Sequence, residues 1–129
     1  MTVLLDTHAF VWAVTAPDRL SPAARELISD ATVPLLVSAV SAWEMSIKHR
    51  AGRWPEVTVL LRQYDRLVHR LGASHLALSA DHALSAGGLE WPHADPFDRA
   101  LAAQAMREGV GLITRDAAFA ELPGLTVLW

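Results

Sequence analysis

Short apolar runs without polar alternation recur along this chain, at residues 3–5, 35–37, 76–78, 111–113 and 125–128, and stretches with helical spacing separate them. A strand that alternates polar with apolar residues has one wet face. A strand buried on both faces reads instead as a continuous apolar run. Strands of that kind, alternating with helices, build parallel βαβ units. The pattern therefore predicts an α/β domain in which a mainly parallel five-stranded sheet lies between two helical layers. With 129 residues, 52% of them hydrophobic, the chain suffices for one well-buried domain over residues 1–129 but not for two. No linker, repeat or low-complexity segment divides it.

Punctuation residues place the helices. Ser21 followed by Pro22 is an N-cap with proline at the first helical position, ahead of a helix over 23–31. Val57, Leu60, Leu61, Tyr64, Leu67, Val68 and Leu71 fall on one stripe and predict a single helix across 57–71. Ser38 caps a helix running towards Gly52. Asp95-Pro96-Phe97-Asp98 reads as the first turn of another, with Gly109 as the residue that ends it.

Composition narrows the chemistry. Without cysteine there is no disulfide, thiolate zinc site or thiol nucleophile, and a reducing cytoplasm is the expected compartment. The first six residues carry no basic region ahead of their apolar stretch, so no signal peptide is expected. No apolar run approaches the ~20 residues of a membrane span, so no membrane association is expected. A formal net charge of -3 argues against coating nucleic acid by bulk electrostatics, so any such contact must be local. Ten arginines stand against one lysine. That bias suits phosphate contacts but also follows from a GC-rich genome.

Four acids are set where chemistry can gather. In an open parallel sheet, ligands bind beyond the carboxyl ends of the strands. Asp6 follows the run 3–5, and Asp116 closely follows 111–113, so both belong on that rim. Asp98 lies in the first turn of the helix leading into residues 111–113, which must begin at the same rim. Glu44 is in mid-helix, four residues after Val40 and three before Ile47, at the border of the apolar side that Val40, Trp43 and Ile47 mark. A carboxylate there is costly unless something pairs with it.

Each acid also has a plain structural reading. Asp6 can cap a helix starting near Thr7, Asp98 can complement a helix dipole, Glu44 can pair with Lys48 on the solvent side, and Asp116 can serve a turn. Taken together these readings are strained, because four carboxylates on one rim repel unless a cation neutralises them. An all-oxygen set suits Mg²⁺ or Mn²⁺, whereas zinc would call for cysteine and histidine spacing that is lacking. Such a cluster supports metal-assisted phosphodiester hydrolysis. His8 and His93 lie beside the acids, while His49, His69, His75 and His82 read as surface or packing residues. Lys48-His49-Arg50 with Arg53 supplies local positive charge for an RNA path, or simply complements a helix C-terminus. Trp12, Trp43 and Trp54 can stack bases, with packing the expectation for Trp43.

Leu5-Asp6-Thr7-His8 with Trp12, Ser41-Ala42-Trp43-Glu44 with Ile47-Lys48, Asp95-Pro96-Phe97-Asp98-Arg99 with Gln104-Ala105, and Thr114-Arg115-Asp116 with Phe119 together resemble VapC-type PIN-domain toxins along the whole chain. That resemblance implies a PIN-like α/β/α fold. It implies a metal-dependent endoribonuclease using Mg²⁺ or Mn²⁺, with Asp6, Glu44, Asp98 and Asp116 as catalytic and metal-holding acids and Thr114 as an accessory hydroxyl. It also implies an RNA substrate, a homodimer, and a cognate VapB-type antitoxin lying over the active-site groove. Asp95 matches the helix-capping position of the motif.

Two rival functions remain open on the sequence. A phosphatase with Asp6 as aspartyl nucleophile is opposed by His8, which stands where such enzymes usually place a second Asp, and by the position of the only lysine on a helix. A non-catalytic module binding RNA or a partner has no need for four mutually repelling acids.

Overall fold

The computed structural model describes residues 1–129. In chain order the elements are β1 (Val3–Leu5), α1 (Thr7–Thr15), α2 (Pro22–Ser29), β2 (Leu35–Ser38), α3 (Ala39–Arg50), α4 (Thr58–Arg62), α5 (Tyr64–Arg70), β3 (Ala73–Leu76), α6 (Ala80–Gly88), α7 (Pro96–Glu108), β4 (Gly111–Ile113) and β5 (Val127–Leu128). Three short 3₁₀ turns link them, at Pro17–Arg19, Pro55–Val57 and Ala117–Glu121. The sheet has five strands in the order β3-β2-β1-β4-β5, and all four pairings are parallel.

Period-2 geometry assigns the two faces of the sheet. Val3 and Leu5 point into a core shared with Phe10, Met45, Leu60 and Val68, while Leu4 between them packs with Leu101, Leu112 and Phe119 on the other side. Every residue of β1 and β4 is buried, which accounts for their unbroken apolar sequence. The chain runs from β1 outward to β2 and β3, then returns to place β4 on the other flank of β1. The strand order thus reverses between β1 and β4, where an open α/β sheet forms its ligand crevice.

The third strand lies at 73–76 and not at 76–78. It is an edge strand in which Ser74 and His75 are exposed, so the expectation of a continuous apolar run does not apply to it. The last strand is confined to Val127–Leu128, and α2 spans 22–29 where 23–31 was expected. The single helix expected over 57–71 is divided at Gln63, whose N–H is shared between the carbonyls of Val59 and Leu60 at 3.2 Å each. The apolar stripe survives the break, with Val57, Leu60 and Val68 buried. The restart at Tyr64 sets its ring edge-on to Phe10 at 5.7 Å.

Sequence reading also missed α6. Its Ser79 side chain accepts the His82 N–H at 3.1 Å, while His82 Nδ1 accepts the Ser79 N–H at 3.0 Å, closing a capping box in which histidine takes the usual Glu or Gln place. Gly109 ends α7 with φ of 66°, the left-handed conformation that a residue without Cβ adopts most readily. No helix is long and apolar enough to cross a membrane.

Candidate active site

The four acids reach one crevice by four different local devices. Asp6 leaves β1 beside β4, with its own N–H donating to the Ile113 carbonyl at 3.0 Å. Its side chain is the N-cap of α1, accepting the Ala9 N–H at 2.7 Å through Oδ1. The plain capping reading is therefore correct, and it leaves Oδ2 for other partners. Asp116 caps the 3₁₀ turn after β4, accepting from Ala118 N–H at 2.9 Å, while its N–H donates to the Thr114 hydroxyl at 3.0 Å. Asp95 caps α7 through the N–H groups of Phe97 and Asp98 at 2.9 and 3.3 Å, which aims the first turn and Asp98 at the crevice.

Glu44 is the most deeply set of the four, 3% exposed on α3. Thr7 donates to its Oε1 at 2.6 Å, Ser41 lies 2.9 Å from the Thr7 hydroxyl, and Lys48 Nζ donates to Oε2. The Lys48 pair expected as an ordinary solvent-side contact is thus one side of a buried carboxylate's coordination. Sequence reasoning missed Thr7 and Ser41 in this role, although Thr7 directly follows Asp6 and Ser41 sits one turn before Glu44.

Charge links the group. Burial pushes Asp6 up from 3.8 to about 6, against the lowering effects of hydrogen bonds from Thr114 and Ala9, and the negative charges of Asp98 and Glu44 raise it further. Burial likewise lifts Asp98 to about 6, with Asp95 and Glu44 adding to the rise and a hydrogen bond from His93 opposing it. His93 Nε2 lies 2.7 Å from Asp98 Oδ2, and one donor atom each from His93, Asp98 and Asp116 lie within 4.8 Å of one another. Asp6 and Asp116 also share a cleft of about 460 Å³ with His8, Trp12 and Arg115. All four expected acids are therefore gathered, with Thr114 between two of them and His93 joined to a third.

His8 stacks on Trp54 at 4.7 Å, and burial lowers its pKa, favouring the neutral imidazole. The other expected contacts fare unevenly. Lys48 is committed to Glu44, while Arg50 and Arg53 are exposed. Trp43, expected to pack, is instead 53% exposed, edge-on to Phe97 at 4.9 Å, and Ile47 is also exposed. The buried side of α3 is formed by Val40, Ser41, Glu44 and Met45. The apolar side read from Trp43 and Ile47 was therefore misplaced, because spacing alone cannot say which of two adjacent stripes meets the core.

Arg99, named in the sequence only as part of the Asp95–Arg99 motif, is a third side chain whose positioning role sequence reasoning missed. Its guanidinium donates to the carbonyls of Ala86 (2.9 Å), Leu89 (2.7 Å), Trp91 (2.8 Å), His93 (3.1 Å) and Gly87 (3.4 Å). It thereby ties the segment before α7, and with it His93, to the helix that carries Asp98.

Comparison with known proteins gives the chain's family and its relatives in fold. A family model for the PIN domain matches residues 3–125. The chain is 31% identical over 115 residues to ribonuclease VapC22 of Mycobacterium tuberculosis, covering 89% of this chain and 87% of that one. It is similar in fold to VapBC2 from Rickettsia felis bound to a promoter DNA fragment, with a TM-score of 0.73, 18% identity, and coverage of 99% of this chain and 98% of that one. It is also similar to DNA-bound VapBC from Salmonella typhimurium, with a TM-score of 0.70, 15% identity, and coverage of 99% and 97%.

Proposed function

Because the chain belongs to the PIN-domain family, we propose that it is a metal-dependent endoribonuclease, the toxin of a VapBC-type toxin–antitoxin pair, with Asp6, Glu44, Asp98 and Asp116 as its catalytic acids. The observation that carries this reading is the convergence of four carboxylates at the β1/β4 crevice, two of them pushed up to about 6. Carboxylates held where their charge is disfavoured regain it when a cation enters.

The donor set fits Mg²⁺ or Mn²⁺, since the four acids offer only oxygen. When bound, the cation supplies an activated water at neutral pH and stabilises charge on the leaving oxygen. The protein's own residues prepare the place. Ala9 and Thr114 orient Asp6, and Thr7 and Lys48 each hold one oxygen of Glu44. His93 fixes one oxygen of Asp98, and the exposed Asp116 completes the mouth. Asp95 positions the helix and holds no cation.

VapC22 is by name a ribonuclease, and the structural neighbours are VapBC assemblies. By that likeness the chain takes RNA as substrate, forms a homodimer, is restrained by a VapB-type antitoxin and acts in the cytoplasm. Arg50 and Arg53, exposed at the end of α3, provide local positive charge for the RNA backbone, while Lys48 contributes by balancing Glu44. Purified protein should cut RNA in Mg²⁺ or Mn²⁺, stop in EDTA, and lose cleavage by orders of magnitude on Asp98→Asn. Undiminished cleavage in EDTA, or by Asp98→Asn, overturns the proposal.

A further inference from the structure

We propose that His93 is itself a ligand, so that His93, Asp98 and Asp116 share one divalent cation in a mixed nitrogen–oxygen site. The inference rests on the metal-dependent reading above and deepens it. His93 stands on a built platform. Arg99 holds its carbonyl and those of Trp91 and Leu89, while the Trp91 ring, itself buried, stacks on the imidazole at 4.6 Å with 27° between planes. Phe119 lies behind Trp91 at 5.5 Å. The imidazole is thus fixed by the backbone, by stacking and by Asp98, a level of preorganisation that a surface histidine lacks.

The spacing matches shared coordination. Metal–ligand bonds of about 2.0–2.2 Å put neighbouring ligand atoms about 3 Å apart and opposite ones about 4 Å apart. His93 Nε2 and Asp98 Oδ2, at 2.7 Å, are spaced as neighbours. Asp116 completes a group spanning no more than 4.8 Å, and, being exposed, its side chain can close the remaining fraction of an ångström.

The competing arrangement is that His93 only orients Asp98, donating Nε2–H to Oδ2 with or without a cation. The two differ in where the proton sits. Coordination through Nε2 requires the neutral imidazole to carry its proton on Nδ1, with solvent exchanging it, and the side chain is 28% exposed, so water can reach it. They also differ in metal preference. Imidazole favours Mn²⁺ over the harder Mg²⁺, whereas an orienting hydrogen bond serves both alike.

The test uses the full chain with Mn²⁺ or Mg²⁺ alone, without RNA. Pulsed electron paramagnetic resonance on the Mn²⁺ form should show a directly bound nitrogen that disappears in His93→Gln, a variant that retains a donor for Asp98. In parallel, thermal-shift titration should show the Mn²⁺ affinity of His93→Gln falling by on the order of 10-fold while Mg²⁺ affinity changes little. Mn²⁺ that stabilises the wild type without nitrogen coupling, coupling that survives in His93→Gln, or equal loss of both affinities overturns the assignment of His93 and leaves the four-acid reading standing. If neither cation stabilises the wild type, the four-acid reading falls first.

Discussion

Asp6→Asn separates a crowded metal site from acids that merely cap helices. Asparagine is as good an N-cap as aspartate, so its amide oxygen keeps the bond from Ala9 N–H, and α1 begins as before. What the substitution removes is the ionisation. Asp6 titrates near 3.8 when unfolded and near 6 when folded, so between those values the folded state binds more protons than the unfolded one. Stability of the metal-free protein therefore falls as pH rises from about 4 to about 6 and remains at the lower level above. A difference of about 2 pK units corresponds to about 3 kcal/mol at most. Asp98 acts in the same direction but less strongly, because its side chain is more open to solvent.

Metal-free Asp6→Asn should accordingly melt higher than wild type by roughly 5–10 °C at about pH 8, and by only about a third as much at about pH 4.5. Added Mg²⁺ should raise the wild-type Tm and leave the variant nearly unmoved, since a ligand stabilises the native state according to its affinity. The assay is a set of circular-dichroism melts of both proteins at the two pH values, in EDTA and in Mg²⁺. If the variant melts below wild type at the higher pH without metal, the Asp6 carboxylate is favoured by its surroundings, and the reasoning from crowding is refuted.

Arg99→Ala should lower stability by about 2–4 kcal/mol in urea unfolding, because up to five carbonyls lose a charged donor at once, and Arg99→Lys should recover only part of this since an ammonium cannot reproduce the fork. A loss under about 0.5 kcal/mol for Arg99→Ala would mean that the segment carrying His93 is held by other contacts. Replacing Arg50 and Arg53 together by Ala should weaken RNA binding and flatten its salt dependence while the fold persists. An unchanged salt slope, measured by fluorescence anisotropy in Ca²⁺, would reduce both arginines to partners of the α3 dipole.

The parts of this fold visible in sequence are those in which one physical term dominates. β1 and β4 are buried on both faces, so composition alone marks them. Ser21-Pro22 and Asp95-Pro96 fix helix starts because capping is a local interaction. Elements governed by two terms were displaced. Ser74 and His75 in β3 are solvated at a sheet edge, and the break at Gln63 leaves the apolar stripe intact and so leaves no trace in periodicity. The same distinction holds at the candidate site. Asp6, Asp98 and Asp116 follow from topology, since parallel strands must end on one rim. Spacing put Glu44 only at the border of a stripe that proved misplaced; its burial, the exposure of Trp43 and the five-carbonyl grip of Arg99 depend on side-chain directions set by tertiary contacts.

Metal binding followed calorimetrically at two pH values addresses the four-acid centre itself. At about pH 6 both Asp6 and Asp98 are near half protonation, so a cation that takes both carboxylates must expel about one proton per chain, and at about pH 8 almost none. Titrating Mg²⁺ into metal-free protein, in buffers of differing ionisation enthalpy, counts those protons directly. The expected result is saturable binding, tighter at the higher pH, with proton release confined to the lower one and lost in Asp6→Asn. Binding that is absent at millimolar Mg²⁺, or that occurs with no proton release at about pH 6 and survives Asp6→Asn unchanged, would contradict a cation centre built from these acids.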